Sequence, residues 1–131
     1  MVQNKVSVII TTYKATERLR DAIQSVLNQT YEHFEVCVVD DNNPDTEARV
    51  YTEKIIQEFA DHPKLKYIKH DRNKNGSAAR NTGIRATDGE FVAFLDDDDI
   101  YYSDRLAKCV EILKNDACLG GVYTHVPLKV L

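Results

Sequence analysis

The sequence predicts an α/β fold, a three-layer αβα sandwich around a mainly parallel sheet. Two observations carry this expectation. Short β-branched runs alternate with amphipathic stretches of helical length in the order βαβαβαβαβ, and strands joined by such crossovers pair in parallel and place helices on both faces. The polar clusters fall just after the strand-like runs, where open α/β sheets bind ligands. With 131 residues the chain has material for one domain and one core.

The elements follow in order. "KVSVIITT" (Lys5–Thr12) reads as a buried strand. In "ATERLRDAIQSVLNQ", Leu19, Ile23, Val26 and Leu27 share a helical face and Thr16 is the expected N-cap. "FEVCVVD" (Phe34–Asp40) is a second buried strand, followed by the turn-rich "DNNPD". Thr46 to about Ala60 reads as a helix that stops before Pro63, and "KLKYIKH" alternates like a third strand. After the polar loop "DRNKNG", a short helix has Ser77 near its start. "EFVAFL" is a fourth strand, "SDRLAKCVEILKN" a helix capped by Ser103 or Asp104, and "GGVYTHVPLKVL" a fifth strand. A chain stopping at Leu131, in or just after a strand-like run, is expected to be one half of a larger enzyme. Leu128, Val130 and Leu131 would then pack against the missing part, or drive self-association if exposed.

A net charge of −4 with scattered basic residues argues against a nucleic-acid surface. No apolar run approaches the length of a membrane span and no signal peptide precedes Val6. The expected location is therefore cytoplasmic, or the cytoplasmic face of a membrane. Three cysteines, Cys37, Cys109 and Cys118, give no paired spacing, so neither a disulfide framework nor a zinc site is expected. The four histidines have no partner pattern and read as surface or core residues.

The run "EFVAFLDDDDIYY" raises the chemical question, because four adjacent aspartates repel one another. In an extended chain Asp96 and Asp98 point one way and Asp97 and Asp99 the other. Oxygen donors alone suit Mg²⁺ or Mn²⁺, which fill their remaining positions with phosphate oxygens. Asp96 and Asp98 are the expected metal ligands, and Asp99 is expected only to cap the next helix. Asp41 can accept an N–H from a base or a hydroxyl from a ribose; it or Asp45 can equally cap the following helix. Tyr13 can stack on a base, or be an ordinary half-buried tyrosine. Gly76 allows close backbone approach, the helix beginning near Ser77 offers free N–H groups to a phosphate, and Arg80 lies one turn further in.

Taken together, "VSVIITTY", "VVDDNNPD", "NGSAARNTGI" and "GEFVAFLDDDD" resemble the nucleotide-binding half of glycosyltransferase family 2, the inverting GT-A enzymes. The resemblance runs from Val6 to about Leu113. It implies that Thr11 and Tyr13 belong to the first nucleotide-binding segment and that Asp41, preceded by Asp40, binds the base, usually uracil. It implies that Gly76 and Arg80 belong to the "NxGxxxARNxG" stretch. Asp96 and Asp98 then form the DxD motif, with Asp98 the direct metal ligand, and Asp97 contacts the ribose or sugar. The implied partners are a nucleotide sugar, UDP-linked rather than GDP- or dTDP-linked, and a glycan or lipid-linked acceptor. The implied reaction is an SN2-like displacement at the anomeric carbon, with Mn²⁺ or Mg²⁺ neutralising the departing diphosphate. The family's acidic general base lies beyond the DxD strand. No matching motif follows Tyr123, and Glu111 is expected on an exposed helix face. The chain is expected to bind donor and to transfer sugar poorly alone.

Other classes fit less well. A phosphorylation receiver carries its acidic pair after the first strand, and both it and an aspartate-nucleophile phosphatase need a lysine further downstream than this chain provides. No GxGxxG follows the first strand, which excludes a dinucleotide fold. A nucleotidyltransferase would carry a glycine-rich loop where "TTYKATERL" has none. A nucleotide-binding module that keeps the fold without the chemistry is the remaining alternative.

Overall fold

The computed structural model describes residues 1–115. It holds four strands, β1 (Val2–Thr12), β2 (Phe34–Asp40), β3 (Leu65–Lys69) and β4 (Gly89–Asp96), alternating with α1 (Arg18–Leu27), α2 (Glu47–Gln57), α3 (Gly76–Arg85) and α4 (Arg105–Asn115). The expected fifth strand and Cys118 lie outside the described residues. All strand pairs are parallel, in the order β3-β2-β1-β4. The α/β fold class and the parallel sheet expected from the sequence are therefore present.

Strand alternation divides the core. Val6, Val8 and Ile10 of β1, Val36 and Val38 of β2, and Ala93 and Leu95 of β4 face one layer. Leu19, Ile23 and Val26 of α1, Ile55 of α2, and Leu106 and Val110 of α4 cover them. Ile9, Cys37 and Val39 face the other layer, which α3 covers through Ala79. This is why β1 and β2 are apolar on both sides. Burial pushes the Cys37 thiol up to about 11, as suits a small core residue. Cys37 and Cys109 are both free and buried.

Two helix starts are capped otherwise than expected. The first turn of α1 is entered through Glu17, which gives no side-chain cap; Thr16 stands one residue earlier and accepts from Arg18 N. Thr46, not Asp41 or Asp45, caps α2 by accepting from Arg49 N. Asp45 instead takes a φ of 61°, in a loop that has no glycine to do so. Ser77 does lie near the start of α3, and Asn75 caps that helix by accepting from Ala78 N, at a φ of 83° that asparagine tolerates better than most residues. Asp104 does lie just before α4, where its carbonyl takes Lys108 N.

The close seating of α3 rests on Gly83. A Cβ there would lie 2.4 Å from Ile9 Cγ2, a fully buried methyl at the centre of the sheet. We predict that Gly83→Ala destabilises the fold by about 1–2 kcal/mol, because overpacking outweighs a gain of about 1 kcal/mol in helix propensity. Urea denaturation checks this, and in a double-mutant cycle with Ile9→Ala, which removes the clashing Cγ2, the pair should cost less than the sum of the two single variants.

Candidate functional site

The sheet order reverses direction at β1: β2 pairs on one side of it and β4 on the other. The carboxyl ends of β1 and β4 lie side by side, with Thr11 opposite Asp96, and Thr12 lies opposite Asp40 on β2. A cleft of about 420 Å³ opens there. Thr11, Thr12 and Tyr13, Asp41, Asn73, Asn75 and Gly76, Ala79, and Asp96, Asp97 and Asp98 line it. Seven of the eight nominated residues thus meet in one place. Arg80 is not among the lining residues; it is exposed, with Nη1 3.7 Å from where a Cβ on Gly76 would lie.

Asp40 and Asp41 are adjacent and both buried. The Asp40 carboxylate turns toward α2. It accepts from Tyr67 Oη, Asn42 N and Asn42 Nδ2, and lies 3.1 Å from Arg49 Nε. Arg49 Nη2 also donates to the carbonyls of Asn42 and His70. Asn42 Oδ1 accepts from Lys14 N at 2.8 Å, which fixes the chain beside Tyr13. Tyr13 itself is 46% exposed, with Lys14 Nζ over its ring at 5.2 Å from the centroid.

Asp41 turns toward the cleft. Its Oδ1 accepts from His70 Nδ1 at 2.8 Å and Lys74 N at 2.8 Å. Its Oδ2 accepts from Asn75 N at 2.9 Å and Asn73 Nδ2 at 3.0 Å. His70 Nε2 in turn meets Thr82 Oγ1 of α3 at 2.8 Å. One carboxylate therefore shapes the whole β3–α3 loop. The sequence reading nominated Asp41 but missed His70, Asn73 and Asn75, whose partner lies 29 or more positions away. The Asn-Gly pair at 75–76 was the available signal, since Asn caps helices and tolerates positive φ.

The acidic run is not extended. Asp99 N donates to Asp96 O, so residues 96–99 form a turn. This brings carboxylate oxygens of Asp96, Asp98 and Asp99 within 4.8 Å of one another, so Asp99 joins the pair nominated from sequence. Asp97 turns the other way and accepts from Thr12 Oγ1 at 2.7 Å. Burial pushes the Asp97 carboxyl up; the Thr12 hydroxyl and Tyr13 N pull it down, while Asp98 and Asp96 push it up. Beyond the turn, Gln29 holds the chain: it donates to Tyr102 O and accepts from Leu106 N. Tyr101 N donates to Ser25 Oγ. Glu111 is exposed on α4, as expected, and no helix among the described residues is long and apolar enough to cross a membrane.

Comparison with known proteins agrees with this geometry. A family model described as Glycosyl transferase family 2 matches residues 7–128. The chain is 36% identical over 112 residues to the UDP-Glc:alpha-D-GlcNAc-diphosphoundecaprenol beta-1,3-glucosyltransferase WfgD of Escherichia coli, covering 85% of this chain and 42% of WfgD. Among solved structures it resembles S. aureus TarS in complex with UDP-GlcNAc, with a TM-score of 0.73 and 29% identity over 85% of this chain and 31% of that one. It also resembles the mannosyltransferase PcManGT from Pyrobaculum calidifontis in complex with GDP-Man and Mn²⁺, with a TM-score of 0.80 and 28% identity over 92% of this chain and 35% of that one. The chain spans less than half the length of each of these relatives. By its family match, its parallel sheet and the cleft at its strand ends, the chain belongs to glycosyltransferase family 2.

Proposed function

We propose that this chain is the donor-binding part of an inverting, metal-dependent glycosyltransferase. Its donor is a nucleotide-diphosphate sugar, UDP-linked by preference, and its acceptor a hydroxyl of a glycan or lipid-linked saccharide. The observation that carries this is the single cleft holding an exposed aromatic ring, a buried carboxylate, a helix start and an acidic turn. WfgD, by its name, uses UDP-Glc and a diphosphoundecaprenol-linked acceptor, and TarS holds UDP-GlcNAc. These support the uridine and lipid-linked readings.

The parts have complementary tasks. Tyr13 stacks on the base and Asp41 accepts its N–H. Thr11 and Asp97 lie where the ribose and sugar would follow. In α3, Ala78 N is capped by Asn75, while the helix leaves the Gly76 and Ser77 N–H groups without intrahelical partners, aimed at an anion. Arg80 stands beside them at the rim. The acidic turn fits a hard divalent cation: its donors are all carboxylate oxygens, close enough to share one ion. Asp98 and Asp96, with Asp99, would hold Mn²⁺ or Mg²⁺, and PcManGT is seen with Mn²⁺. Bound there, the ion would supply charge neutralisation for the diphosphate leaving group. The attacking hydroxyl needs a general base, and we assign none among the described residues.

Calorimetric titration tests the donor site. We expect UDP binding in the presence of Mn²⁺ that weakens at least tenfold on adding EDTA or in Asp98→Ala. Equal affinity in all three conditions would remove the metal from the site. A second expectation concerns Thr12. Replacing it with valine leaves the half-buried Asp97 carboxylate short of a donor, at a cost of about 1 kcal/mol in metal-free urea denaturation at pH 7. That cost should shrink as the pH falls, because a protonated Asp97 no longer needs the donor.

A further inference from the structure

The inner side of α3 is committed to the sheet. Ala79 and Gly83 are buried there, and a Cβ on Gly83 would already lie 2.4 Å from Ile9 Cγ2. The outer side carries Ser77, Arg80, Asn81, Ile84 and Arg85, which recur every three or four residues and are all exposed. Ile84 is 41% exposed, with Arg80 one turn before it and Arg85 directly after it. Neither arginine stands in an ion pair among the described residues.

The charge pattern singles out the same face. The chain carries a net charge of −4, yet residues 72–87 hold four basic residues, Arg72, Lys74, Arg80 and Arg85, and no acidic one. An exposed aliphatic side chain between unpaired guanidinium groups matches an anionic bilayer: the arginines meet headgroup phosphates, and the apolar group enters the boundary between headgroups and acyl chains. A nucleic-acid strand would satisfy the arginines and leave Ile84 in water. The face also has a meaningful place in the fold, because α3 starts at Gly76, which lines the donor cleft.

We propose that the outer face of α3 docks the protein on an anionic lipid bilayer, through Ile84, Arg80 and Arg85. The cleft then lies beside the bilayer, on the side from which an acceptor carried on a lipid would come. The docking face rests on its own residues and on neither the base nor the sugar that the cleft takes.

Flotation with vesicles tests this, using phosphatidylcholine alone and phosphatidylcholine mixed with phosphatidylglycerol. The chain should float with the mixed vesicles and not with the neutral ones, and added salt should release it. Arg85→Glu should weaken binding about tenfold and Ile84→Ser about threefold. Both side chains are exposed, so urea midpoints close to wild type show that the variants remain folded. Lys54→Glu makes the same charge change on α2, across the sheet from α3, and should bind like wild type. No flotation with mixed vesicles, equal flotation with neutral ones, unchanged binding in either α3 variant, or an equal loss in Lys54→Glu would overturn the docking face. Capture of a single-stranded oligonucleotide in place of vesicles, lost in Arg85→Glu, would assign the face to nucleic acid instead.

Discussion

Two adjacent carboxylates, Asp40 and Asp41, are buried at the end of the second strand, and much of the strand-end architecture follows from their need for partners. Burying an ionised carboxylate without partners costs several kcal/mol. The chain meets that cost twice, in opposite directions. Asp40 draws Arg49 from α2 and Tyr67 from β3 into one network, and Arg49 then clamps the carbonyls on either side. Asp41 draws in the segment between β3 and α3, so that the residues forming the cleft wall are also its hydrogen-bond donors. Removing either carboxylate would undo more than one contact, because buried donors would be left unpaired along with it.

The acidic turn is coupled to the same framework through β1. Thr12 holds Asp97 with its hydroxyl, while its carbonyl accepts Asp41 N at 2.9 Å. One residue at the end of the central strand thus joins the Asp41 side of the cleft to the acidic side. On the far side of the turn, Ser25, Gln29 and Thr30 near the end of α1 bind the backbone of residues 101–106. The aspartates that repel one another are therefore held together by neighbours on both flanks. A turn of this kind presents oxygen ligands to a cation without the cation having to gather them.

Much of this was legible in the sequence, for physical reasons. The β1 and β2 runs are apolar on both faces because helices cover both, and that makes them unmistakable as buried strands. Tyr13, Asp41 and Asp96–Asp98 were legible because polar residues directly after such strands mark the ligand end of the sheet. The pairing of Asp96 with Asp98 was legible, but the inclusion of Asp99 was not. Alternation assumes an extended chain, and the turn at 96–99 breaks that assumption. His70 read as an isolated histidine because its partners, Asp41 and Thr82, are brought to it only by the fold. Asn75 was not read as the cap of α3 because that role depends on the positive φ it takes in the folded loop. Propensity ranks single residues, whereas the loop's course is set by the donors that Asp41 requires.

The central claim is that base and diphosphate are bound in one cleft, the base at Asp41 and the diphosphate between the start of α3 and the acidic turn. A crystal structure of the chain with UDP and Mn²⁺ tests it most directly. The account predicts the base stacked on Tyr13 with its N–H on Asp41 Oδ2, and a manganese ion joining Asp98 to the diphosphate. A nucleotide lodged instead in the groove between Lys14 and α2, lined by Val50 and Tyr51, with Asp41 still holding all four of its present donors, would contradict it.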